Sequence, residues 1–259
     1  MIDIINWNLV PAFILIFVRI MAFFVIMPLF SYRSVPVQFK IGISFFLTII
    51  LISSVDIGNV ALNDLYIFLL VKEALVGICI GLIAFILVSA IQVAGGFIDF
   101  QMGFAIANVV DPQTGAQSPL TGQYFYIIAL LFFLSVDGHH MILNGMMNSF
   151  SYISLDQFIP FGEESIIELV LTTFNTMFLI AFQIAIPIVG CLFLVDVALG
   201  IVARTVPQMN VFVVGLPIKI LVSFAAILVF LALYIGLLQY VFEAMYRVMV
   251  ELMALFGGA

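Results

Sequence analysis

Charge is what this chain has least of. Lysine, arginine, aspartate and glutamate make up 8% of its 259 residues, whereas hydrophobic residues make up 66%. A soluble domain is nearer half apolar and a quarter charged, so the composition excludes an ordinary soluble fold and reads as an integral membrane protein. The little charge there is leans negative, with a formal net of −7. That excludes a nucleic-acid binder, which needs a basic surface, and argues against peripheral docking on anionic lipid. Cysteine is nearly absent. Cys79 and Cys191 both lie in apolar runs, where core packing is the plain reading, and no zinc spacing involves them. The opening residues "MIDIINWNLVP" lack a basic stretch. Arg19 stands at the centre of the first apolar run with no small-residue cleavage site after it, so no cleavable signal peptide is expected. Catalytic motifs are missing too: there is no HExxH, GxSxG, P-loop, dinucleotide fingerprint or recognisable acid pair. No enzymatic activity and no cofactor are therefore expected. Nor is there the alternating polarity of membrane-barrel strands, so the Phe-, Leu-, Ile- and Val-rich runs read as helices.

What remains is an all-α membrane protein with about six apolar helices, at approximately 9–30, 41–55, 66–92, 120–136, 166–195 and 218–242. A spanning helix needs about 20 apolar residues. The second and fourth runs are short for that. The fifth is long and contains Pro187, where a kink is expected. Such mixed lengths suit helices buried against protein, or an assembly poorly matched to the bilayer. Arg33 and Lys40 fall in one connector, Arg204 and Lys219 in another. The connectors with Asp56 and Asp64, and with Asp137, Asp156, Glu163 and Glu164, carry no base. By the positive-inside rule the basic connectors are cytoplasmic, and six spans then put both termini outside. Lys72 and Arg247 do not fit that scheme.

Two stretches break the apolar pattern. In "GFIDFQMGFAIANVVDPQTGAQSP" (96–119), with Gly95 just ahead, Gly95, Asp99, Gly103, Ala107 and Asp111 recur every fourth residue and share a helix face, with Phe97, Phe100 and Phe104 elsewhere. Small residues on one face let another backbone approach. Asp111-Pro112 is expected to end that helix. The polar loop that follows must avoid lipid, so it is either a cytoplasmic loop or a constriction lining a water-filled passage. In "DVALGIVARTVPQMNVFVVGLPIK" (196–219), Asp196, Gly200 and Arg204 form a stripe that could flank a close helix contact. Pro207 breaks the helix, and Gly215 and Pro217 start the next, giving a tight hairpin tip. The two stretches echo each other weakly, as Asp-x-x-x-Gly followed by Pro-Gln. In the third run, Glu73, Gly77 and Gly81 share a face and read as helix packing, with Glu73 near the helix start as an interfacial anchor. "DGHH" (137–140) reads as an interfacial turn. Adjacent histidines on a helix point to different faces, and one carboxylate does not complete a metal site.

In this order among six apolar runs, "DFQMGFAIANVVDPQTG", "DGHH" and "DVALGIVARTVPQMNVFVVGLPIK" resemble the FliR family of flagellar biosynthetic proteins, whose injectisome counterpart is the T component of the type III export apparatus. The resemblance covers essentially the whole chain. It implies packed helical hairpins, with a FliP-like part over 1–161 followed by a FliQ-like hairpin over 162–259. It also implies a place in the export gate of the bacterial cytoplasmic membrane, at the flagellar basal body, beside several copies of FliP-like and FliQ-like subunits. Unfolded flagellar proteins pass through that gate, driven by the proton-motive force and an associated ATPase. FlhB-like and FlhA-like components are the further partners. Some members carry the FlhB-type domain fused, whereas this chain ends at Ala259 without it, so that partner is expected to be separate. By the resemblance, Asp99, Gly103, Phe104, Asp111, Pro112, Gln113, Thr114 and Gly115 belong to a pore plug and its adjoining helix. Asp196, Gly200, Arg204, Pro207, Gln208, Asn210, Gly215, Pro217 and Lys219 belong to a cytoplasmic entrance hairpin. A reading of another class is a stand-alone secondary transporter, with Asp99 and Asp196 as substrate or proton sites at broken helices.

Overall fold

A computed structural model describes residues 9–28, 30, 35–58, 60, 65–104, 119–157, 159, 163–208 and 210–258. Every element among them is a helix: α1 (Val10–Ile26), α2 (Val37–Leu51), α3 (Tyr66–Met102), α4 (Leu120–Ser135), α5 (Gly138–Tyr152), α6 (Glu164–Thr205) and α7 (Val211–Gly257). Proline marks several starts. Pro11 sits in the first turn of α1, and Pro36 and Pro119 precede α2 and α4. Its fixed φ suits a helix entrance, where a missing N–H costs nothing. α3, α6 and α7 are long and apolar enough to cross a membrane, with a possible fourth span if α4 and α5 count as one broken helix.

The chain forms two compact units. One holds Met1–Leu87, Asp137–Phe174 and Glu243–Ala259; the other holds Val88–Val136 and Asn175–Phe242. In the first, α1 buries Ala12, Leu15, Ile16, Arg19, Ile20 and Phe23, an i, i+3, i+4, i+7 stripe. α2 is inverted: its buried positions are Lys40, Ser44, Thr48 and Leu51, while Ile41, Phe45, Phe46, Ile49 and Ile50 are exposed. Ser44 and Thr48 satisfy their hydroxyls within the helix, donating to the carbonyls of Lys40 and Ser44, each at 2.7 Å. A helix with its polar side inward and its apolar side outward has a non-aqueous neighbour. In the second unit, Phe125 and Phe133 of α4 pack on α7 at Tyr234 and Phe242, with ring centroids 4.7 Å apart in both pairs.

Several boundaries differ from the sequence reading. α3 ends at Met102 and not at Asp111-Pro112. Gly103 takes φ +90°, its N–H donates to the Phe100 carbonyl (3.2 Å), and the Phe104 N–H donates to the Asp99 carbonyl (2.9 Å). This pair of bonds is the Schellman termination, which favours glycine at the left-handed position. Of the five stripe residues, Gly95 and Asp99 lie in α3. Gly103 lies past the end, while Ala107 and Asp111 lie outside the described residues. The segment read as the connector 137–165 contains a helix, α5. α6 runs as one helix through Pro187, and α7 begins at Val211, with Gly215 and Pro217 inside it. Lys40 lies in α2, Lys219 in α7 and Lys72 in α3. Charges inside helices are not loop charges, so they carry little weight in a positive-inside argument.

Candidate functional site

The first unit is built around a buried charge cluster. Gly77 and Gly81 of α3 lie against α1. A Cβ on Gly77 would meet the Arg19 carbonyl and come within 2.9 Å of the Ala22 Cβ; one on Gly81 would come within 3.1 Å of the Phe23 carbonyl. This close approach lets Arg19 reach Glu73, one helical turn before Gly77. Both side chains are fully buried, and Lys72 is 3% exposed. The guanidinium grips Glu73 with two nitrogens, Nε to Oε2 and Nη2 to Oε1 (3.0 Å), and Lys72 Nζ pairs with Oε1 as well. Such two-point pairing fixes geometry as well as charge. The surplus positive charge faces carbonyls at the C-terminal end of α5. Arg19 donates to the carbonyls of Ser149 and Ile153, each at 3.0 Å, and Lys72 to those of Ser154 (2.9 Å) and Leu155 (3.2 Å). Cations are favoured at that end of a helix, where carbonyls lack helical partners. The Phe150 ring adds a cation–π contact, its centroid 4.2 Å from the guanidinium carbon. Glu73 is thus the centre of a dry clamp and not an interfacial anchor. Sequence reasoning missed its partners, although a charge in mid-run, as at Arg19, requires one.

The second unit holds two polar centres. A Cβ on Gly95 would strike the backbone of Gly122, so α3 and α4 cross in contact. At that crossing Thr121 Oγ1 lies 2.8 Å from the Gly95 carbonyl and 2.7 Å from Asp99 Oδ1, and the Thr121 N–H donates to the same Oδ1 at 3.3 Å. Pro119 offers α4 no side-chain cap, so Asp99 supplies the anion at its N-terminus. Asp99 is 2% exposed, and its Oδ2 is buried with no partner among the described residues. Nearer the hairpin, Gln101 Nε2 donates to Asp196 Oδ2 (2.8 Å), and Lys219 Nζ pairs with Asp196 Oδ1. Asp196 thereby joins α3, α6 and α7. Its partner is Lys219 across the hairpin and not Arg204 along its own helix. Gly200 has open space where a Cβ would lie among the described residues, whereas a Cβ on Gly215 would come within 3.0 Å of Leu199 Cδ1 and one on Gly103 within 2.9 Å of Leu216 Cδ1.

Arg204 in the last turn of α6, and Pro207, Gln208 and Asn210 between α6 and α7, are exposed. Asn210 caps α7, its Oδ1 accepting the Phe212 N–H at 3.1 Å. Phe104 follows the end of α3. Asp111, Pro112, Gln113, Thr114 and Gly115 lie outside the described residues. In "DGHH", Asp137 precedes α5 in the left-handed region (φ +55°), and the His139 and His140 rings lie 4.3 Å apart. The expectation that adjacent histidines point apart is thereby corrected, and the segment is a helix start.

The arrangement joins helices through ion pairs and capping bonds, and comparison with known proteins agrees with that structural character. Residues 10–245 match the model of a family described as bacterial export proteins, family 1. The flagellar biosynthetic protein FliR of Bacillus subtilis (strain 168) is 54% identical over 96% of this chain and 97% of its own length. Its Escherichia coli (strain K12) namesake is 26% identical over 91% and 90%. The Yop proteins translocation protein T of Yersinia pestis is 28% identical over 80% and 81%. The chain therefore belongs to the bacterial export proteins, family 1.

Proposed function

We propose that this chain is a subunit of the flagellar type III protein export gate in the bacterial cytoplasmic membrane. Membership of the family makes it a membrane component of a flagellar or type III export apparatus, a structural part of that apparatus and not a known enzyme. The finer reading rests on one observation, the exposed flank of the α6–α7 hairpin. In the most apolar stretch of α3, 61% is buried inside the chain, against 33% in α6 and 22% in α7. On α7, large apolar side chains stay exposed from Phe212 to Tyr240. At about 1.5 Å per residue that flank is about 42 Å long, and tilted by about 20° it still rises about 39 Å. The hydrocarbon core is only about 30 Å thick, so the ends of the flank reach beyond it, where neighbouring protein would cover them better than the polar interface does.

FliP-like and FliQ-like subunits are the proposed neighbours, with FlhB-like and FlhA-like components in the same apparatus. Within the chain, 1–161 acts as the FliP-like part and 162–259 as the FliQ-like hairpin. Unfolded flagellar subunits pass the gate, entering past the hairpin turn at Arg204, Pro207 and Gln208. Residues 111–115, which follow the Gly103 stop, plug the passage. Closure is steric, and apolar constrictions exclude water and with it ions. No bond-making step is required of any residue. The transporter reading loses support at Asp196, whose two oxygens are held by Gln101 and Lys219.

The plug is tested by deleting residues 114–117 in cells that carry the partner subunits. We expect the subunit to assemble at its usual level while the membrane becomes leaky to ions, measured as a collapse of membrane potential. An assembled complex in an ion-tight membrane would remove the plug assignment.

A further inference from the structure

The start of α5 carries a donor set that the export reading does not use. One nitrogen from each of His139 and His140 and one carboxylate oxygen of Asp137 all lie within 4.8 Å of one another. We propose that these three residues bind a divalent transition-metal ion of the zinc class, leaving one coordination position open.

Three further observations favour a ligand there. Asp137 occupies the N-cap position of α5, where an aspartate ordinarily accepts an N–H of the first turn, yet it makes no such bond. Its carboxylate is therefore not committed to its own helix. Its backbone is left-handed, at φ +55°, a conformation that costs a non-glycine residue about 1–2 kcal/mol and recurs at ligand sites. Finally, His139 Nδ1 is buried and has no hydrogen-bond partner among the described residues. A buried ring nitrogen in that state is costly unless something satisfies it.

The donor types select the ion. Calcium and magnesium prefer all-oxygen sites, whereas two imidazoles and one carboxylate suit zinc and its neighbours. Metal–ligand distances of about 2.0–2.2 Å place donors about 3.4 Å apart in a tetrahedral site. Asp137 and His140 are exposed, so packing does not hold their side chains at the present spacing. Three protein ligands leave a fourth position for water or for a side chain from outside the chain. The positive end of the α5 dipole opposes a cation, and the Asp137 carboxylate offsets it. Affinity weaker than that of a closed four-ligand structural site is therefore expected.

The chain contains only two histidines, so imidazole coordination reports this site alone. The full-length protein, purified in detergent on a histidine-free tag and stripped with EDTA, is titrated with Co2+ and followed by its visible d–d absorption, then competed with Zn2+. One equivalent is expected to bind, and His140→Ala, at an exposed position, is expected to weaken binding at least tenfold, in line with what losing even an outer-sphere contact costs. Absence of stoichiometric binding by the wild-type chain would overturn the proposal. So would equal binding by the Asp137→Asn/His139→Ala/His140→Ala variant.

Discussion

Glu73 is a single carboxylate between two buried cations, Arg19 and Lys72, and is itself fully buried. Glu73→Gln keeps the shape and removes the charge, leaving both cations buried without an anion. Breaking a buried pair in this way costs about 3–5 kcal/mol. Glu251→Gln, at an exposed position of α7, serves as the control and should stay within about 0.5 kcal/mol. Thermal unfolding in one detergent compares them; equal midpoints would show that the clamp carries little stability. The need for such a clamp is legible in the sequence, because an arginine in the middle of an apolar run must find a partner. The partner's identity is not. Glu73 and Asp99 both lie in the same long helix, and only the register of α1 on α3 decides between them. The same limit explains Asp196. Helical spacing offers Arg204 as its neighbour, whereas the return of α7 brings Lys219 closer.

Glycines on the helices separate contacts that form inside the chain from those left for something else. Gly95 touches Gly122 backbone to backbone, so a methyl group there must force α3 and α4 apart, and Gly95→Ala should destabilise the isolated chain by about 1–3 kcal/mol. Gly200 faces open space in α6, so Gly200→Ala should be neutral or gain up to about 1 kcal/mol from better helix propensity. Unfolding of the two variants side by side checks this. If Gly95→Ala proved as stable as Gly200→Ala, the crossing would not be as close as described. The apolar runs behind these helices were plain from composition. α5 was not, because "GHHMILNGMMNSFSY" mixes glycine, histidine, asparagine and serine into its apolar positions and lacks the continuous run that betrays the others. The stop of α3 was masked by a louder signal. Asp111-Pro112 draws the eye as a helix breaker, while Gly103 acts earlier through a left-handed residue and two backbone bonds that spacing alone does not reveal.

Among the described residues, the charged side chains of Arg19, Lys40, Lys72, Glu73 and Asp99 are buried while many large apolar side chains are exposed. The outward faces of α2 and of the α6–α7 hairpin ask for a non-aqueous surround, and the α7 flank is longer than a bilayer core supplies. The family relationship says which kind of apparatus the chain serves. The exposed flank is what supports the proposal that neighbouring subunits complete the chain. Purification through this chain alone, in mild detergent from cells with a native complement of export proteins, tests that claim most directly. The account predicts that two smaller membrane proteins co-purify in fixed ratio, as FliP-like and FliQ-like subunits. A stable, monodisperse monomer or homo-oligomer that recovers no other membrane protein would contradict it.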